Sequence, residues 1–329
     1  MSNLSDFLSG AGSVTPRVEQ NEADIAANGS GVATNASNIS ANASYMNAIP
    51  RENWLINGCF TMWQRGTAHS GTLVDGYYAD RWRFSGAFTN ITRNSHAIGS
   101  TNNKSRYVCS ISKDAGANAY IDQPIENISG NIESKVFSFS FLVGSQEFLD
   151  EIINVQIINY ENNTVFAITN ADGFVVESLG ASWRRVTGTL PAVAISNTTS
   201  DHATFRIGLS TNAISGQWIS EIKLEEGSNS TPFVREDYSI TLNKCERFYQ
   251  KLVDGTGPVY ATKRTDNDLI GIIHMPLRTP MRSSSPTATG TWHAATPDLV
   301  EASSRNLRIQ WNNASSLQGV TSLVISAEL

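Results

Sequence analysis

Residues 18–46 read VEQNEADIAANGSGVATNASNISANASYM. Val18, Ile25, Val32, Ile39 and Met46 recur every seventh residue, and Asn21, Asn28, Asn35 and Asn42 each stand three residues after one of the first four. In heptad terms, an apolar residue holds every a position and an asparagine every d position. This spacing keeps one seam of a helix facing partner helices, and one chain alone cannot bury it. Asparagine at d is costly, because each carboxamide needs hydrogen-bond partners inside the seam. Three chains around an axis supply them, through amide contacts or through a trapped water or anion. β-Branched residues at a do not force a dimer once d is not Leu. The stretch therefore predicts a trimeric coiled-coil stalk over 18–50, with an anion as a candidate ligand of its Asn layers. Gly29, Gly31 and the many Ser, Asn and Thr residues weaken an isolated helix, so helix is expected to come with assembly. The same composition suits a flexible linker, and it is the four V/I-x-x-N units in phase that favour the stalk.

Before this ladder, Leu4, Phe7 and Leu8 fall on one helical face of a segment too short to be stable alone. Residues 1–17 are read as a peptide that docks on another surface. The whole chain, at 329 residues with 16% charged and 9% aromatic side chains, has room for a stalk and two further domains. Its formal net charge of -6 gives no basic footprint, so nucleic acid is not an expected partner. Cys59, Cys109 and Cys245 are odd in number and far apart, and are expected to be reduced and structural. Neither a signal peptide nor a membrane-inserting run is seen, so export from a cell would not be by Sec.

After Pro50 the pattern changes to short alternating segments. Phe137, Phe139 and Phe141 share one face and Ser138 and Ser140 the other, which is strand periodicity. Ala203, Phe205, Ile207 and Leu209 repeat it, and Trp218, Ile222 and Leu224 do so less regularly. Many short strands divided by turns predict an antiparallel jelly-roll β-sandwich over 51–238. Tyr238 to Leu252 reads as a helix, capped by Thr241 or Asn243, with Cys245, Phe248, Tyr249 and Leu252 on its apolar face. Strands at Leu269–Met275, Thr287–His293, Leu307–Trp311 and Val320–Ala327 complete a small α+β domain over 239–329. The class is mostly β, with an N-terminal helical stalk.

Three further stretches go beyond periodicity. The first is NWLINGCFTMWQRG (53–66), followed by Tyr78-Ala79-Asp80-Arg81-Trp82. The second is IKLEEG (222–227) through Thr231-Pro232-Phe233 and on to Cys245-Glu246-Arg247-Phe248-Tyr249. The third is MPLRTPMR (275–282) ahead of Ser285-Pro286-Thr287. In this order they resemble the distal region of bacteriophage tail fibres, where a carbohydrate-binding-module-like jelly roll precedes a small C-terminal domain. The V/I-x-x-N ladder similarly resembles the stalks of phage fibres and of trimeric autotransporter adhesins. The resemblance implies a homotrimeric, virion-located fibre, assembled in the host cytoplasm. Residues 1–17 would join it to other tail or baseplate proteins, and its distal domains would bind host surface polysaccharide.

If glycan binds, flat aromatic faces must be exposed at loops. Tyr77, Tyr78, Trp183, Trp292 and His293 are the candidates by loop context, whereas Trp63 and Trp82 read as core. Jelly-roll sugar modules often carry a structural calcium. Asn57, Glu225 and Glu226 are its candidate oxygen ligands, although Cys59 stands where the family places an acid. No catalytic residue is assigned. Glu225 and Glu226 are adjacent on a strand and point to opposite faces, Asp266 and Asp268 read as a solvated loop, and the five histidines lack metal-ligand spacing. Two readings stand: a receptor-binding fibre, or a purely structural fibre or adaptor carrying another receptor-binding protein.

Overall fold

Pro16 falls in the first turn of a helix, α1 (Val14–Ala48), where its missing N–H would have had no intrahelical partner. The computed structural model describes residues 14–95, 105–126, 135–159, 164–169, 173–180, 182–191, 202–260, 262–263, 271–283, 285–293, 296–297, 299–311 and 319–327. The expected anchor residues Leu4, Phe7 and Leu8 lie outside them, as do Asp266 and Asp268. Helix α1 starts ahead of the expected stalk and stops before Pro50. Its hydroxyls bond back to its own turns: Thr34 Oγ1 donates to Ser30 O at 2.9 Å and Ser44 Oγ to Ser40 O at 2.9 Å. The heptad seam is bare in the single chain, with Val18 46%, Ile25 70%, Val32 69%, Ile39 68% and Met46 60% exposed. The asparagines between them, Asn21, Asn28, Asn35 and Asn42, are exposed as well. No described helix is long and apolar enough to cross a membrane.

Residues 51–329 form a second unit, built almost wholly from strands. In chain order these are β1 (Ala68–Ser70), β2 (Gly76–Ala79), β3 (Trp82–Ser85), β4 (Phe88–Ser95), β5 (Tyr107–Lys113), β6 (Ala119–Glu126) and β7 (Phe137–Val143). A short helix α2 (Gln146–Glu151) leads to β8 (Ile152–Asn159), β9 (Thr164–Thr169), β10 (Val175–Ser178), β11 (Arg184–Leu190), β12 (His202–Leu209) and β13 (Ile214–Glu226). They make two antiparallel sheets, in the orders β1-β4-β5-β13-β7-β11-β10 and β2-β3-β6-β12-β8-β9. The chain crosses between the sheets at most connections. The result is the expected two-sheet sandwich.

Alternation explains which side chains meet between the sheets. Phe137, Phe139 and Phe141 of β7 enter the core with Ala203, Phe205, Ile207 and Leu209 of β12, and Trp63 and Trp82 join them. Each buried aromatic of this kind removes a large apolar area from water, at roughly 25 cal/mol per Å². Trp218, Ile222 and Leu224, expected on one face, divide: Ile219, Ile222 and Leu224 point inward and Trp218 outward. The cause is a register shift between Ser220 and Lys223, where Glu221 takes φ 51. One extra residue restores the apolar phase after the break.

The remainder differs from the expected helix and single sheet. Helix α3 (Tyr238–Glu246) is capped by Asp237, which accepts from Ser239 N at 2.8 Å, and not by Thr241 or Asn243. It ends six residues short of Leu252, because Tyr249 already pairs with Ser326 in strand β14 (Tyr249–Tyr260). The strands β15 (Thr262–Lys263), β16 (Gly271–Pro276), β17 (Thr287–His293), β18 (Leu299–Ala302), β19 (Asn306–Trp311) and β20 (Gly319–Ser326) follow. They form two small sheets, β14-β20-β17 and β15-β16-β19-β18. A second core of Val253, Leu307, Ile309, Leu323 and Ile325 lies between them.

Candidate functional site

The residues that carry the family resemblance are engaged in structural joints. Asn57 has φ 59, and its side chain donates to Met62 O and Asp80 O while accepting from Thr61 N and Met62 N, all at 2.8–3.0 Å. At Gly58 a Cβ would lie 2.0 Å from Ile222 O, so only glycine allows this approach. Asp80 pairs with Arg65 at 3.2 Å, and Arg81 lies 3.5 Å over the Phe248 ring.

The IKLEEG stretch clasps the start of the unit onto β13. Arg51 Nη1 donates to Glu226 O and Asn229 O, Trp54 N donates to Leu224 O, and Asn53 bridges Ile222 O and Leu224 N. Gly227, at φ 119, leaves room for the Arg51 guanidinium. Beneath it, Lys223 and Glu225 form a 2.9 Å ion pair with side chains 2% and 0% exposed. Thr231 completes the pair, donating to both Glu225 oxygens and accepting from Lys223 Nζ. Burial pushes the Lys223 ammonium down, against the pull of Glu225. Similarly, buried Gln250 accepts from Arg278 N and donates to Thr279 O, and Arg278 pairs with Glu246 at 3.1 Å.

These joints already engage the candidate calcium ligands. Asn57 and Glu225 are buried with their oxygens already bonded inside the protein, and Glu226 faces Lys135 at 2.8 Å. No cluster of three or more His, Cys, Asp or Glu residues able to hold a metal occurs among the described residues. The three cysteines are buried free thiols, and burial pushes Cys59 and Cys109 up, away from the reactive thiolate.

The expected glycan residues are dispersed. Tyr78 packs against the sandwich core, edge-on to Phe84 at 6.2 Å, with its hydroxyl donating to Val74 O. Tyr77 is half-buried with Arg65 5.5 Å from its ring centre. Trp292 packs on the second core, in β17, whose last residue is His293. Trp183 is 4% exposed and so is no loop-tip platform. It nevertheless leads to the residue that the sequence reading missed. Its ring stacks on Trp218 at 6.0 Å and 29°, and Trp218 is 37% exposed on the outer face of the seven-stranded sheet.

Several features hold this indole pair. Trp183 rests on Val108 and Leu142, which point outward from β5 and β7. Gly144, in turn, carries no Cβ to strike Trp218 Cβ, which would lie 3.0 Å away, and its N–H donates to Trp218 O. Nearby along the chain, Gln217 accepts from Ser145 Oγ at 2.7 Å, and Arg185 of β11 lies 3.6 Å from Glu221. A fixed, partly exposed indole can stack the C–H face of a sugar ring. The outward phase of Trp218, opposite to Ile219, was the available signal; the bulge at Glu221 concealed it.

Fold and site together define an antiparallel β-sandwich with an aromatic outer face and a separate, seam-bearing helix. No family model and no curated protein matches the chain. Among solved structures, it is similar to the enzymatically active domain of bacteriophage CBA120 tailspike protein 4, with 13% identity, a TM-score of 0.33, and 53% of this chain and 21% of that one covered. A CBM61 domain in complex with β-1,4-galactotriose matches at 14% identity and TM-score 0.32, over 54% of this chain and 99% of its own. The CBM22 tandem of Paenibacillus barcinonensis Xyn10C matches at 9% and 0.33, over 86% and 92%. At these values none of the three assigns a ligand to this chain.

Proposed function

We propose that this chain is a homotrimeric bacteriophage tail fibre. In this reading α1 joins three copies, residues 1–17 attach them to other virion proteins, and the sandwich binds host surface glycan across Trp218 and Trp183. The observation that carries it is the bare seam of α1. Burying one Val or Ile side chain is worth about 1.5–3 kcal/mol, so five apolar residues per chain are a substantial drive for association once the asparagines find partners. The Asn layers are the place for a bound anion. Three identical indole faces on one stalk would gain avidity from weak individual contacts.

Catalysis is not part of the proposal. Glu225 is committed to Lys223 and Thr231, and Glu226 lies on the other side of the strand from it, so the two carboxylates do not face across one bond. The test is retention of the labelled full-length protein on host cells, with and without soluble surface polysaccharide. Saturable retention, abolished by polysaccharide and by Trp218→Ala, is expected. A correctly folded trimer that no susceptible cell retains would sink the glycan reading and put the structural adaptor in its place.

A further inference from the structure

A cavity of about 300 Å³ opens where β4 and β5 meet the segment leading into α3. Arg93, Arg106 and Arg235 line it, with Tyr107, Tyr238 and Glu236. Two of the guanidinium groups share one ring: Arg93 lies 4.5 Å and Arg106 5.6 Å from the centre of Tyr107. Arg93 is also fixed by donating to Thr61 O at 3.2 Å. Arg106 and Arg235 are exposed, and neither forms an ion pair with a described residue.

Glu236 is the one carboxylate in the described lining, and Asp237 beside it is held low by Ser239 and, more weakly, by Arg235. Glu236 gives one oxygen to Lys244 Nζ at 2.5 Å and the other to Thr241 Oγ1 at 3.1 Å. Asp237 accepts from Ser239 N and Oγ as the cap of α3. The described lining sets three arginines against one glutamate, a local surplus of two positive charges in a chain whose net charge is -6. Tyr238, 60% exposed, adds an aromatic surface at the rim. The lower end of the usual size range for small-ligand pockets is about 300 Å³, room for one monosaccharide unit. Guanidinium forks match the paired oxygens of carboxylate or phosphate, and tyrosine rings suit sugar C–H faces.

We propose that this cavity is a second subsite, specific for an anionic sugar residue bearing a carboxylate or phosphate group. The charged group sits between Arg93, Arg106 and Arg235, and the ring lies along Tyr238. The proposal rests on the glycan reading only for the origin of its ligand. It makes the fibre selective for acidic over neutral polysaccharide.

The test is titration of the full-length protein with glucuronate, glucose 6-phosphate, glucose and inorganic phosphate, followed by ligand-observed NMR. Saturable binding of glucuronate or glucose 6-phosphate is expected, and which of them binds more tightly identifies the charged group. Arg106→Gln with Arg235→Gln should weaken that binding at least tenfold, and Arg106→Lys with Arg235→Lys should restore part of it. Both positions are exposed, so the thermal melt should not move. Raising the salt from 0.05 to about 0.5 M should weaken binding in the same direction. Charged sugars binding no better than glucose, or binding indifferent to the Gln variants, would overturn the proposal, as would inorganic phosphate binding as tightly as glucose 6-phosphate. Trp218→Ala on cells separates the two claims. Loss of retention there, with no Arg effect, removes only the subsite; anion binding by a fibre that cells do not retain removes only the glycan reading.

Discussion

In α1 the apolar side chains of Ile25, Val32 and Ile39 lie open to solvent, while in β13 a lysine and a glutamate are sealed from it. The two regions invert the usual placement, for different reasons. The sandwich hides Lys223 and Glu225 with each bonded to the other and to Thr231, which offsets part of their desolvation and makes removal of either partner alone costly. Helix α1 leaves its seam bare because no residue of its own heptads can cover it. The sandwich buries its core within one chain, and the helix leaves its apolar seam exposed.

The largest way to break this contrast is Ile25→Asn with Ile39→Asn. Sedimentation equilibrium should show the mass fall from three chains to one, while the melting of residues 51–329 is unchanged. An unchanged trimer would place the association elsewhere. Next comes Glu225→Ala, which leaves Lys223 buried without its carboxylate and should cost about 3–5 kcal/mol in urea unfolding with the oligomer intact. Glu225→Ala together with Lys223→Met should recover most of that loss.

Gly29 and Gly31 offer a smaller and sharper test. A Cβ at either position meets nothing within 4 Å in the single chain. Alanine should therefore stabilise α1 by about 1 kcal/mol per site, read from the helix melt by circular dichroism. Loss of stability instead would mean that neighbouring chains approach closely there. The smallest effect is at Asp122, which accepts from Arg206 Nε and Nη2 at 2.8 and 2.7 Å. Burial nevertheless pushes its carboxyl up, outweighing Arg206. The folded state then holds this proton more tightly than the unfolded one, so the stability from this group is present in acid and lost as pH rises through its folded pKa. Asp122→Asn should remove that slope from unfolding titrations begun near pH 3.

Local pattern was readable where period and packing agree. The heptads place α1, the Phe137-Phe139-Phe141 alternation places β7, and Thr287–His293 is strand β17 as expected. Reading failed where a distant partner decides. Phe248 and Tyr249 continue the helical apolar spacing of Cys245, yet β20 recruits Tyr249 into a strand. Trp183 sits in a loop by sequence but finds Trp218, Val108 and Leu142. Asn57 and Glu225 have calcium-like oxygens that the fold consumes for itself. The arginines of the cavity come from β4, the residue before β5 and the lead into α3, and no spacing along the chain announces that they converge.

The clasp at Arg51 has a mechanical consequence. Any pull reaching residue 51 acts on the bonds to Glu226, Asn229, Leu224 and Thr231 together. Bonds loaded in parallel yield as a group rather than one after another. The first residues of the sandwich are thus a seat that spreads such a pull, fastened to β13 in the middle of the seven-stranded sheet.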